Sequence, residues 1–250
     1  MQKLLTLTEG KRSFDSDYWK RAKPQLKLES GGKCAYCEAP TETVAHGDVE
    51  HFRPKSAYWW LAYCYDNYLF ACQICNQTYK GNAFPIAGSA YPPPTLPAET
   101  AEDAEIERIV ADFAPDPLVE AEWTAFHAQL KAEQAHLPNP YLDDPEGLFA
   151  WQADPVLKEV RLCAREDDVL SARAVEAAER YFGLNREELR RWRWRTYELI
   201  ETYKKVIAAE QIGIELKAEV RQRLQQMASA EREFTGMCRY FLHEVWQIIL

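Results

Sequence analysis

Leu189, Trp192, Thr196, Leu199, Tyr203 and Val206 recur at steps of three and four, the spacing that puts side chains on one face of an α-helix. Val220, Leu224, Met227, Phe234, Phe241, Val245 and Ile248 continue the pattern and predict a long final helix, with Glu231 interrupting its stripe. Gly183-Leu184-Asn185 marks a break from an earlier helix, so helix is expected from about Val169 to the end. Upstream the spacing changes. Val156–Cys163 alternates and predicts a strand, and residues 43–53 alternate weakly, enough for a β-hairpin. His46 falls in the polar turn of that hairpin and reads as a loop residue. The run Ala57–Tyr65 is bulky and apolar. It is expected to be core joining the N-terminal part to the rest, with base stacking by Trp59 or Trp60 as the other use. A short helix is predicted from Ile74 to about Lys80, ended by Gly81-Asn82. Residues 14–30 read as a short helix or irregular lead-in, with Tyr18 and Trp19 packing inward.

These elements make an α+β chain, mostly α. Gly88–Thr100, with its three consecutive prolines, is the clearest linker. It divides an N-terminal module (1–90) from an acidic, Pro-containing linker and small α/β segment (91–165). A helical region, 166–250, follows. In the middle segment Asp143, Asp144 and Glu146 read as turn chemistry beside proline rather than a metal cluster. No run approaches bilayer length and the first residues lack an apolar leader core, so no membrane contact and a cytoplasmic setting are expected. Of seven cysteines, Cys64, Cys163 and Cys238 are widely spaced and read as buried thiols.

The net charge is −9, and residues 91–170 concentrate it, with five basic against eighteen acidic residues. Phosphate contacts dominate nucleic-acid affinity, so a chain this acidic should grip duplex weakly unless a partner helps. Lys20, Arg21, Lys23, Lys27 and Lys33 form either a small phosphate-facing patch or an ordinary solvated face. The segment Arg190–Arg195, R-R-W-R-W-R, reads as a polar rim or partner surface ahead of a nucleic-acid contact.

The candidate chemistry lies between Gly32 and Phe84, which contain G-K-C-A-Y-C-E, D-V-E-H-F-R-P-K-S and D-N-Y-L-F-A-C-Q-I-C-N-Q-T-Y-K-G-N-A-F-P. Two C-x-x-C pairs can aim four thiolates at one ion. Cys34, Cys37, Cys72 and Cys75 are therefore expected to hold structural Zn²⁺, in preference to a redox pair or two disulfides. Glu50 and His51 lie between the pairs, and Asn76 follows Cys75 directly. A hard cation such as Mg²⁺ takes oxygen ligands, which the Glu50 carboxylate and Asn76 amide offer. His51 titrates near neutrality and can take a proton from water. That equipment suits metal-assisted phosphodiester hydrolysis. Arg53 and Lys55 follow closely enough to touch the scissile phosphate, and Lys80 lies one helical turn after Asn76, either to neutralise phosphate charge or to be solvated.

The order C-x-x-C, E-H, N, C-x-x-C-N resembles HNH endonucleases of the ββα-metal, zinc-knuckle type, in an H-N-N variant. The wording V-E-H-F-R-P-K-S and A-C-Q-I-C-N-x-x-x-K-G-N-x-F-P is closer to the PtuB-like HNH subunits of Septu and retron-associated antiphage systems. The motifs cover about a fifth of the chain. The resemblance implies a zinc-stabilised ββα-metal module with a helical C-terminal region. In it Glu50 binds catalytic Mg²⁺ or Mn²⁺, His51 is the general base, Asn67 braces the loop, and Asn76 replaces the final histidine as metal ligand. It implies endonuclease activity, DNA being the expected substrate, with RNA such as tRNA, or an idle zinc module, as the alternatives. It also implies a PtuA-like ATPase partner of the SMC/ABC type, docked on residues 166–250.

Overall fold

The computed structural model describes residues 12–41, 47–97, 101–116 and 118–249. His46 and the first eleven residues lie outside them. The chain opens with two short helices, α1 (Ser16–Lys20) and α2 (Lys23–Glu29). Asp15 caps α1 through its carboxylate, and Pro24 stands where α2 needs no backbone donor. β1 (Asp48–His51) then pairs antiparallel with β2 (Tyr68–Ala71), His51 facing Tyr68. β2 runs into α3 (Ile74–Lys80), wound as a π-helix, so the order here is strand, strand, helix.

The middle segment is more structured than its composition implied. α4 (Asp103–Asp112) and α5 (Glu120–Lys131) bury Ile106, Ile109, Phe126 and Leu130 against Tyr58, Trp60, Leu61 and Tyr91. The aromatic run is thus core, as its density of large side chains predicted. Residues 88–97 do not behave as a free linker: Tyr91 is buried, and its amide donates to Glu133 Oε1 at 2.8 Å. A Cβ on Gly88 would stand 2.1 Å from the Ala132 carbonyl.

The predicted strand at 156–163 is displaced. The structure has a hairpin, β3 (Phe149–Asp154) with β4 (Glu159–Ala164). Asp154 Oδ1 accepts from the Val156 and Leu157 amides in the turn, which leaves both apolar side chains outside. Turn chemistry likewise accounts for the acids before it: Asp143 Oδ2 accepts from the Asn139 amide and Asp144 Oδ1 from that of Glu146.

α6 (Val169–Phe182), α7 (Glu187–Ala208) and α8 (Ile214–Met227) follow. Gly183 ends α6 at φ 57°, and a Cβ there would stand 2.3 Å from the Tyr79 ring, so glycine lets α6 sit against α3. The single long final helix is corrected to two. α8 stops at Met227, and α9 (Thr235–Arg239) restarts after a turn and continues as π-helix over Tyr240–Val245. Phe234 takes the left-handed conformation in between, φ 52°, with its ring fully buried against Trp192. Burial of that ring offsets an uncommon backbone state. The face of α7 is rotated from the expected one: Leu189, Arg193, Thr196 and Ile200 are buried, while Leu199 is 43% exposed.

One hydrophobic cluster joins Cys34, Cys37, Cys72 and Cys75 to Val160, Leu162, Phe182, Leu189, Trp194, Leu224, Phe234, Phe241 and Leu242. The N-terminal module and the C-terminal helices therefore share a core. No helix among the described residues is long and apolar enough to cross a membrane.

Candidate metal and catalytic site

The four cysteine sulfurs converge. Cys34, Cys37, Cys72 and Cys75 lie with all their Sγ atoms within 4.8 Å of one another, and every one is buried. A tetrahedral Zn²⁺ with Zn–S of about 2.3 Å needs sulfurs about 3.8 Å apart, so the cluster fits the ion with little adjustment. Local chain geometry produces the convergence. The Cys34 amide donates to the Ala39 carbonyl and the Glu38 amide to the Cys34 carbonyl, folding the first pair into a tight knuckle. The Ala35 amide donates to the Phe70 carbonyl and ties that knuckle to β2. In the second pair the Cys75 amide donates to Cys72 Sγ at 3.4 Å. Among these thiols, burial pushes Cys34 up, whereas hydrogen bonds from Cys34, Cys37 and Cys75 hold Cys72 low.

Glu50 and His51 end β1 on the other side of β2. His51 is buried, and its Nε2 lies 3.0 Å from the Ala62 carbonyl. A carbonyl only accepts, so Nε2 carries the proton in the neutral ring and Nδ1 keeps its lone pair. Burial lowers His51 to about 4, against the hydrogen bond to Ala62, so the ring is neutral at physiological pH. Trp19 and Tyr68 hold the imidazole edge-on, at centroid distances of 4.9 and 5.2 Å.

Glu50 is 4% exposed and pairs with Lys80, both contacts being through Oε1: the ammonium of Lys80 and, at 3.4 Å, the Tyr36 hydroxyl. Lys80 Nζ also donates to the His51 carbonyl at 3.0 Å. Burial raises Glu50 and lowers Lys80, and in each case their mutual attraction opposes the shift. Asn67 ends the short 3-10 turn that leads into β2, and its side chain bonds back to the chain that follows β1. Its Oδ1 accepts from the Arg53 amide at 2.8 Å, and its Nδ2 donates to the carbonyls of Arg53 (2.9 Å) and Leu61 (3.2 Å). Asn76 lies half-buried on α3, where its backbone donates to Cys72 and accepts from Gly81.

Two expected phosphate contacts are elsewhere. Lys80 is 3% exposed and reaches Glu50 instead of solvent, because α3 packs that face against β1. Arg53 is 4% exposed, its Nε 2.6 Å from Glu133 Oε2 and its Nη2 3.2 Å from the Leu130 carbonyl. Lys55 remains partly exposed, 5.4 Å over the Trp19 ring, and its charge acts on Glu50, His51 and Lys80. The basic lead-in is also partly neutralised, with Lys20 on Asp17 and Lys33 on Glu38.

Tyr36, Glu133 and Arg186 were not singled out by the sequence. Tyr36 had a signal, since it stands inside C-A-Y-C. Glu133 was hidden among eighteen acids, and Arg186, whose Nη1 lies 3.6 Å from Cys75 Sγ, arrives from a helix over a hundred residues away.

Comparison with known proteins adds one relative. The Septu protein PtuB of Bacillus mycoides (strain KBAB4) is 36% identical over 91 residues. The chain is PtuB-like over that stretch. The match spans 31% of this chain and 31% of the length of PtuB, so what the rest of PtuB does is not carried across by it. No family model matches the chain, and no solved structure matches it.

Proposed function

We propose that this chain is an HNH-type endonuclease acting as the nuclease subunit of a Septu-like antiphage complex in the cytoplasm, with DNA as its substrate. One observation supports this reading above the others. His51 is held in the tautomer that frees Nδ1 as a base, next to Glu50 in β1, at the end of a hairpin that leads into a helix. A purely structural zinc knuckle has no use for that arrangement.

In the mechanism His51 Nδ1 takes a proton from water as it attacks the phosphodiester, and the ring is fixed by Ala62, Trp19 and Tyr68. Asn67 holds Arg53 by two hydrogen bonds and Leu61 by a third, which keeps the chain after the base in place. In this reading Glu50, whose two contacts are both on Oε1, and the Asn76 amide would be the oxygen donors for Mg²⁺ or Mn²⁺. Such an ion, when bound there, would supply stabilisation of negative charge on the phosphoryl and leaving oxygens. Lys55, still partly exposed, is the cation this proposal assigns to the phosphate. Zn²⁺ on the four cysteines is structural, its shell being closed.

The buried Lys80–Glu50 pair is the observation that favours the rival reading, an idle zinc module, because an ammonium already answers the carboxylate. An RNA substrate is the enzymatic alternative. The partner in this proposal is a PtuA-like ATPase of the SMC/ABC type, meeting the solvent-facing Leu199, Ile214 and Leu216 of α7 and α8. Incubation of the chain, alone and with that ATPase, with labelled DNA and RNA plus Mg²⁺ tests all three. His51→Ala should abolish cleavage while zinc content is kept. Cleavage by His51→Ala at the parental single-turnover rate rejects the base, and cleavage of RNA alone replaces the substrate.

A further inference from the structure

Arg193 is the largest fully buried side chain among the described residues, and no carboxylate among them pairs with it. Its Nη1 donates to the Leu184 carbonyl at 2.6 Å, its Nε has no partner among them, and its guanidinium lies 4.7 Å over the Trp151 ring and 5.9 Å from that of Phe234. An uncompensated guanidinium in such surroundings is strongly unfavourable. Arg186 stands at the start of the same helix and meets backbone and sulfur. Its Nη1 contacts Cys75 Sγ at 3.6 Å and also donates to the carbonyls of Gly183 (3.1 Å) and Phe182 (3.4 Å).

The missing negative charge is close by. Four thiolates around one Zn²⁺ carry a net charge of about −2, and here the four cysteines are buried within a hydrophobic cluster. Arg186 and Arg193 are seven residues apart, two turns of α7 or about 10 Å along one face. Arg193 lines a cavity of about 370 Å³ together with Cys34 and Cys37, while Arg186 reaches Cys75 from the opposite end. One fully buried and one partly buried cation thus flank the buried cluster. Burial pulls Arg193 down to about 10; the negative potentials of Cys37, Glu38 and Cys75 oppose that fall, and the charge of Arg186 adds to it.

We infer that Arg186 and Arg193 are the counter-charges of the zinc tetrathiolate, so that zinc in the N-terminal module and the packing of α7 depend on each other. This rests on the reading of the cysteine cluster as a zinc site. It gives the C-terminal helices a second role beside any partner surface: they supply the charge balance that retains the metal.

The test uses the full chain loaded with zinc, and follows zinc transfer to a chromophoric chelator. Metal analysis of the parent comes first, and a parent with no zinc rejects the zinc reading itself. With zinc present, Arg193→Met and Arg186→Gln should each release it at least ten-fold faster. Arg193→Lys, which keeps the charge and loses the fork, should stay within about three-fold of the parent. Cys72→His lowers the charge of the cluster by one. In that background the effect of Arg193→Met should shrink by at least three-fold, a coupling that loss of packing alone does not produce. Unchanged release from both arginine variants overturns the inference. So does an Arg193→Lys variant as fast as Arg193→Met, or an equal effect of Arg193→Met in the two cysteine backgrounds. If Arg193→Met does not fold, Arg186→Gln in the two cysteine backgrounds measures the same coupling, and an equal effect in both overturns the inference in the same way.

Discussion

Replacing Lys80 by methionine tests the electrostatics of the site most directly. The Lys80 side chain is 1% exposed and that of Glu50 5%, so neither charge can turn to water when the other is removed. Breaking a buried ion pair from one side typically costs about 3–5 kcal/mol, because the remaining charge is left uncompensated. The His51 carbonyl also loses the ammonium that donates to it at 3.0 Å, a loss of about 1–3 kcal/mol that overlaps with the first rather than adding to it. We expect Lys80→Met to be destabilised by about 4 kcal/mol. With a urea dependence of about 3 kcal/mol/M, this is a fall of about 1.3 M in the denaturation midpoint, followed by tryptophan fluorescence on zinc-loaded protein. Glu50→Gln added to Lys80→Met removes the orphaned charge, and the double variant should recover most of the loss. A divalent cation held by Glu50 takes over the role of the ammonium, so Mg²⁺ should stabilise Lys80→Met more than the parent. A midpoint unchanged by Lys80→Met, or a double variant less stable than the single, refutes the argument that the pair is buried and mutually dependent.

Other outcomes follow from the same geometry. Asn67→Asp keeps the acceptor for the Arg53 amide but turns an oxygen toward two carbonyls, and should destabilise by about 2–4 kcal/mol in the same urea assay. Purified protein should hold about one Zn²⁺ per chain by metal analysis, and chelation should unfold residues 32–84 together with the helices that share their core, read as loss of tryptophan fluorescence and helical circular dichroism. Glu133→Gln should weaken the hold on Arg53 and lower the thermal midpoint by several degrees, since the pair is 5% and 0% exposed. Ile214→Glu with Leu216→Lys should disrupt co-purification with the proposed ATPase partner while leaving zinc content unchanged.

The parts of the molecule that could be read from its sequence are those fixed by local spacing. The C-x-x-C pairs converge because each is a short turn, and α7 begins and ends near where its periodicity said. The aromatic run is interior because nothing else absorbs so many large rings in nine residues. What failed depended on distant contacts. The face of α7 was misjudged because Arg193 counted as polar, whereas the fold buries it and exposes Leu199. The final helix was drawn through Phe234, whose ring is buried only by turning the backbone left-handed. Lys80 and Arg53 looked like phosphate ligands on spacing alone. Their partners, Glu50 across the strand–helix packing and Glu133 eighty residues on, have no local signature.

Glu133 also changes the meaning of the acidic segment. Read as net charge, residues 91–170 weaken any grip on nucleic acid and argue for a partner. One of those acids is fully buried instead, accepting from Arg53 and from the Tyr91 amide. Arg53 is joined by its backbone to Asn67, and Asn67 holds the turn that follows His51. The segment beyond the prolines therefore reaches the candidate base through three consecutive contacts. On the opposite side α7 meets the cysteine cluster through Arg186. Cutting the chain after residue 165 would remove Arg186, Arg193 and most of the core around the four cysteines. Such a truncation should lose zinc as well as any partner, so a partner surface on α7 and α8 has to be mapped by point substitutions on their exposed faces.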